Sequence, residues 1–196
     1  MLPSYLLSVP AGAPRFRAAS PLPPLLRLAA WLSRRRYGKV LGIIPYVYGW
    51  LPALVFPHAA LLRLAARRLP LSKRLRALVE VHVSRANGCS FCTDVHAALA
   101  IESGVPAAVF AELDDVRASG ALDEREKAGL AWALEVARSG GAEGDALAEA
   151  RRHFDDRALV ALAWLASFMT YLNTLAKAVG LSSAGLCEVA LRERRG

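Results

Sequence analysis

Residues 72–102 set a helix, a two-residue break and a second helix in direct succession, and few folds accommodate that order. Ser72 stands as a side-chain cap before Leu75, Leu78, Val79, His82 and Ala86, which recur at the spacing of one helical face. Asn87-Gly88 then stops the helix, since both residue types tolerate the left-handed backbone that ends helices. The next helix is expected over Ser90–Glu102, with Ser103-Gly104 as its stop.

The same punctuation runs through the rest of the chain. Helices are expected over residues 25–36, 52–69 (closed by Pro70) and from Pro106 to about 118. Asp123 and Glu126 have capping-box spacing ahead of LAWALEVAR, which Ser139-Gly140-Gly141 ends. A short helix at 145–153, a long apolar one from Asp155 or Asp156 to 179, and a last one from Ser182 complete the reading. No alternating strand pattern and no fixed-period repeat occurs, so the expected fold class is all-α. The 196 residues, 55% of them hydrophobic, suit a single helical domain over 25–196. Residues 1–24, rich in proline and small side chains, are expected to form an extended arm draped over a neighbour or the fold itself.

The formal net charge of +8 raises the question of nucleic acid. The excess lies at Arg27, Arg34, Arg35, Arg36 and Lys39, within 63–76, and in the 192–195 tail, without aromatic interleaving or a zinc-finger spacing. Solvated helix faces explain it better, and no nucleic-acid partner is expected. Attraction of PPLLRLAAWLSRRRYGK to an anionic membrane surface is the weaker alternative. MLPSYLLSVPAGAP lacks the basic start of a signal peptide, and the apolar stretch 40–66 is interrupted by Pro45, Pro52, Pro57, His58 and Arg63. No membrane span is expected, and a cytoplasmic location is. The three cysteines, Cys89, Cys92 and Cys187, are too few for a secreted disulfide scaffold.

In NGCSFCTDVHA, Cys89 and Cys92 are three apart and His96 is four beyond Cys92, so all three share a helical face. The break at Asn87-Gly88 sets both cysteines in the first turn, where unpaired backbone N–H groups and the helix dipole favour a thiolate. His96 can take or relay the proton, and Glu80 can complete a relay if the two helices pack antiparallel. Zinc is one alternative, but C-x₂-C-x₃-H supplies only three ligands, with Glu80 or His82 left as the fourth, and no second pair exists. A structural disulfide is another, although so short a loop adds little stability and cytosolic thiols stay reduced. A redox dithiol accounts for the spacing, the helix start and the histidine together. No metal and no cofactor is expected.

The block EVHVSRANGCSFCTDVH, Glu80 to His96, resembles the signature of the AhpD-like, carboxymuconolactone decarboxylase superfamily, in the branch with E-x-x-V-S-x-x-N-G-C-x-x-C-x-x-x-H. LDEREKAGLAWALEVAR and DDRALVALAWLASFMTYLNTLAKAVGL, with Asn173, are similar to later helices of that family, so the resemblance spans roughly 71–181. The resemblance implies an all-helical homo-oligomer, often of trimers or hexamers, reducing peroxides or relaying dithiol electrons as an alkylhydroperoxidase-like antioxidant. Its partners would be a peroxide substrate and a protein or small-molecule dithiol reductant. By the same resemblance Cys92 attacks the peroxide, Cys89 resolves the sulfenic acid as a disulfide, and Glu80 accepts protons through His96. The chain departs from the best-studied AhpD pattern at Ala77, Phe91 and Leu175-Ala176-Lys177. Decarboxylation is disfavoured, because the decarboxylases of the superfamily do not rely on the cysteine pair. A helical binding or scaffold protein with a vestigial or zinc-bound pair is the alternative function.

Other residues have plainer explanations. His82 is expected to be a satisfied core or pocket histidine, and His58 and His153 structural or exposed. Cys187 is expected as a half-buried small hydrophobe, and Asp94 as a carboxylate complementing the dipole of its own helix. Trp31, Trp50, Trp132 and Trp164 are expected in the core or a subunit interface, with Tyr46 and Tyr48 near a pocket mouth.

Overall fold

The computed structural model describes residues 13–141 and 144–193, with side chains to residue 191. Eight α-helices follow in order: α1 Pro24–Tyr37, α2 Val55–Arg67, α3 Lys73–Ala86, α4 Ser90–Glu102, α5 Glu124–Ser139, α6 Asp145–Ala150, α7 Asp156–Ala178 and α8 Leu186–Glu193. No strand occurs among the described residues, and the fold is all-α.

The central element is α3. Leu78, Val79, Val81 and Val83 are each fully buried, so the helix is covered on more than the single face its periodicity suggests. It packs against α4, α5 and α7, and each large side chain removed from water there contributes about 1.5–3 kcal/mol. Its start is set by Ser72, whose Oγ accepts from the Leu75 N–H at 3.0 Å. The start of α5 carries the expected capping box between Asp123 and Glu126. Glu126 also accepts from Arg74 Nε at 2.7 Å, which ties the first turns of α3 and α5 together. Asp155 caps α7 through Ala158 N–H at 2.8 Å. Within the basic 63–76 cluster, Arg76 is buried rather than solvated, donating to the Ala65 carbonyl at 3.2 Å.

Several local expectations are corrected. Residues 52–69 are not one helix: Pro52–Leu54 form a 3₁₀ turn before α2, and a π-helical turn, Ile44–Tyr48, precedes it. After Pro106 the chain forms a 3₁₀ segment, Ala107–Asp114, in place of an α-helix to 118. Only Gly88 is left-handed at the α3–α4 break, with φ 65°, whereas Asn87 stays right-handed at φ −80°. Although no membrane span is expected, α7 is by length and composition alone long and apolar enough to cross a bilayer, and half of that window is buried inside the fold.

The last helix starts at Leu186 rather than at Ser182 for a reason that sequence spacing does not show. Asp94, buried in α4, reaches across to accept from Ala184 N–H (2.8 Å), Leu186 N–H (3.0 Å) and Cys187 N–H (2.8 Å). It therefore caps α8, not its own helix. Of the expected arm, residues 1–12 lie outside the described residues. Residues 13–23 cross the fold surface: Arg15 N–H donates to Val179 O and Ala19 N–H to Pro45 O, each at 3.0 Å. Trp50 Nε1 donates to Arg17 O at 2.9 Å. Ala19 is buried where Gly49 leaves room, since a Cβ at Gly49 would stand 2.6 Å from the Ala19 Cβ.

Two stability predictions follow from this packing. Asp94→Ala orphans three backbone donors and lowers unfolding free energy by about 2–4 kcal/mol in urea titration, with Asp94→Asn intermediate. An Ala variant as stable as the parent would contradict the cap. His82 is buried, and burial first, then Arg85 and Arg138, push its pKa down to about 4 against an opposing effect of Asp114. The folded ring thus holds its proton less well than the unfolded one, so stability is full above the ordinary pKa of 6.5 and is lost as pH falls through about 4. The loss is on the order of 3 kcal/mol, and His82→Gln flattens that part of the pH–stability curve.

Candidate functional site

The site is built on the α3–α4 turn. Asn87 is gripped by α7: its Nδ2 donates to Asn173 Oδ1 at 3.0 Å and to Thr170 Oγ1 at 3.2 Å, and its carbonyl accepts from Lys177 Nζ at 2.6 Å. Asn173 is fully buried and donates in turn to Ser84 Oγ at 3.1 Å. This polar chain is the physical content of Asn173. A lone amide among apolar α7 residues has to find partners when buried, and that was the available sequence signal for it. Ser84, Thr170 and Lys177 gave no such signal.

From that fixed turn Cys89 enters as the N-cap of α4, its Sγ accepting from Cys92 N–H at 3.2 Å. Cys89 and Cys92 are joined as a disulfide with Cα atoms 5.3 Å apart. Both are buried, at 1% and 4% exposure, and Phe91, Ala176 and Leu181 pack with them. Leu41, Ile43, Tyr46, Val95 and Val179 complete the wall. The wall thus includes the π-helical turn and the α7–α8 connection, to both of which residues 13–23 are hydrogen-bonded. Tyr46 stands at the wall as expected, but Tyr48 does not belong to it.

His96 lies one turn beyond Cys92 on α4. Its Nδ1 is 3.0 Å from Glu80 Oε2, and both side chains are largely removed from solvent. Glu80 is accordingly a paired carboxylate rather than a solvated one. Cys89, Cys92, His96 and Glu80 are thereby brought to one side of the α3–α4 pair. His82, two residues from Glu80, is about 200° away around α3 at helical geometry, and faces α5 instead. His82 therefore cannot be the fourth ligand beside the cysteines, and no cluster of three or more His, Cys, Asp or Glu suited to a metal occurs among the described residues.

The remaining expectations fare unevenly. Cys187 is a buried free thiol, and burial first, then Asp94 and Glu188, push its pKa up to about 11. It is an apolar packing group, more buried than expected. His58 is neither exposed nor isolated: it is buried between Tyr48 Oη at 3.2 Å and Tyr171 Oη at 2.9 Å, and burial lowers its pKa. Its partners lie 10 and 113 residues away, at no spacing that sequence periodicity registers. His153 is half-buried beside Glu149 at 3.4 Å. Trp132 is in the core, whereas Trp31 and Trp50 are exposed.

Comparison with known proteins agrees with this geometry. The Escherichia coli K12 protein YnjA is 28% identical over 172 residues, 87% of this chain and 94% of that one. A peroxidase-related protein from Silicibacter sp. TM1040 superposes with a TM-score of 0.75 at 22% identity, over 91% of this chain and 95% of that one. A putative antioxidant defence protein AhpD from Agrobacterium tumefaciens does so with a TM-score of 0.59 at 25% identity, over 65% of this chain and 88% of that one. Residues 58–135 match the model of the carboxymuconolactone decarboxylase family, a stretch that holds the α3–α4 turn, both cysteines and the His96–Glu80 pair. This stretch is thus similar to the carboxymuconolactone decarboxylase family, and the helical fold around it is the one seen in AhpD-like proteins.

Proposed function

We propose that the protein is a thiol-dependent oxidoreductase that reduces alkyl hydroperoxides, or relays dithiol electrons, through Cys89 and Cys92. The observation that carries this reading is the His96–Glu80 pair at 3.0 Å, one helical turn from Cys92. A cysteine pair needs a proton acceptor to form a thiolate and a donor to release the alkoxide, and an imidazole backed by a carboxylate does both. Relatives named as peroxidase-related or antioxidant support the class of chemistry. Decarboxylation makes no use of a cysteine pair and is the weaker reading.

In the proposed cycle Cys92, as thiolate, attacks the outer peroxide oxygen. The O–O bond breaks, the alcohol leaves with a proton from His96, and Cys92 becomes a sulfenic acid. Cys89 then displaces hydroxide, which leaves as water, and the Cys89–Cys92 disulfide forms. An external dithiol reduces it and is itself oxidised to a disulfide. Attack on the Cys92 sulfur expels Cys89 as a thiolate at a helix N-cap, where the Cys92 N–H already points at the departing sulfur. Glu80 holds the imidazole in place through its contact with Nδ1. The apolar wall around the pair means that a substrate must displace Tyr46 or its neighbours to reach sulfur, which suits an alkyl hydroperoxide better than a highly charged one.

The reading includes a homo-oligomer, a trimer or hexamer. Exposed Trp31, Leu28 and Phe56 on α1 and α2 supply apolar surface for subunit contact. It also includes a cytoplasmic setting that supplies the dithiol reductant.

The direct test is peroxide consumption with a panel of dithiol reductants. Cys92→Ser abolishes it, together with the reducible Cys89–Cys92 bond, and an unchanged rate in that variant sinks the proposal. Glu80→Gln keeps the fold and lowers the rate about 10²-fold, with a displaced pH profile.

A further inference from the structure

On the side of α3 away from the cysteines, His82 lines a cavity of about 540 Å³ between α3, α5 and the segment after Leu113. His82 is 8% exposed, and among the described residues its ring has no hydrogen-bond partner. A buried ring nitrogen left unpaired is costly, and the cavity is the space it faces. The rim is crowded with charge, but the charges are not equally engaged. Asp114 is bound by Arg85, Asp115 Oδ1 accepts from Ala118 N–H at 3.2 Å, and Glu135 Oε1 accepts from Ser139 Oγ at 2.7 Å. Arg117 and Arg138, by contrast, have no ion-pair partner among the described residues. Arg138 is near enough to His82 to disfavour its protonated form. Leu113, Val116 and Leu134 supply apolar surface to the same lining.

Two guanidinium groups with no ion-pair partner among the described residues, apolar side chains on the lining and a buried ring nitrogen describe one class of molecule. We propose that this cavity binds a small organic carboxylate that carries a hydroxyl or carbonyl group. The carboxylate pairs with Arg138 and Arg117, as guanidinium groups do with carboxylates generally. The carbon chain lies against Leu113, Val116 and Leu134, and the hydroxyl or carbonyl meets His82. The site shares no residue with the cysteine pair or with His96 and Glu80, so it stands whether or not the redox reading does.

The test is calorimetric titration of the full chain, at fixed ionic strength, with 2-hydroxyhexanoate, hexanoate and inorganic phosphate. Saturable binding of 2-hydroxyhexanoate is expected, with hexanoate about tenfold weaker for want of one hydrogen bond, and no saturable binding of phosphate. Arg138→Gln, an exposed substitution that leaves the core intact, weakens 2-hydroxyhexanoate at least tenfold, while Arg63→Gln on α2 changes nothing. The His82 ring resonances move on titration with 2-hydroxyhexanoate and stay in place with phosphate. No saturable binding of either carboxylate, or equal affinity in the Arg138→Gln protein, overturns the proposal. Phosphate binding as tight as that of the carboxylates also overturns it, and leaves a simple anion site.

Discussion

Everything at the candidate site depends on how Asn87 is held. A turn between two helices is ordinarily the mobile part of a hairpin, yet here α7 binds its side chain through Asn173 and Thr170 and its carbonyl through Lys177. Gly88 alone takes the left-handed conformation that lets the chain reverse. Once those two residues are placed, Cys89 has to be the N-cap of α4, Cys92 its first turn and His96 its second. The packing of α4 along α3 then delivers Glu80 to His96. A break in the Asn173–Asn87 bond would therefore be felt at sulfur before it was felt in the core.

Burial gives this arrangement its chemical sense. In the proposed cycle a thiolate enclosed by Tyr46, Leu181 and Phe91 is poorly solvated, so its stabilisation falls to the N–H groups at the helix start. His96, held by the Glu80 carboxylate at 3.0 Å, is the proton-exchanging group of that cycle. Residues 13–23 bond to Pro45 and Val179 beside this wall, while Asp94, two residues from Cys92, fixes the start of α8. Segments far apart in sequence thus enclose one disulfide.

Local signals served well where the physics is local. Ser72, Asp123 and Asp155 start their helices through their own side chains, and the expected boundaries at α3, α4, α5 and α7 stand within a residue or two. The Glu80–His96 contact was also legible, because a short turn forces consecutive helices together. What was not legible depends on distant partners. The start of α8 is set by Asp94, about ninety residues earlier, and so Ser182 was a misleading cap. His58 had no readable role because Tyr48 and Tyr171 come to it only through the tertiary fold. The segment after Pro106 has helix-forming residues but winds as 3₁₀; its helical propensity did not decide its geometry.

The central claim is that Cys89 and Cys92 act as a pair while Cys187, buried with its pKa raised to about 11, stands apart. Titration of the fully reduced protein with an alkyl hydroperoxide, followed by thiol counting and peptide mapping, tests it most directly. The account predicts that one equivalent of peroxide removes two of the three thiols, that the new bond joins Cys89 to Cys92, and that Cys187 is recovered as a free thiol. Loss of Cys187 in step with the others, or no loss of thiols with excess peroxide, would contradict it.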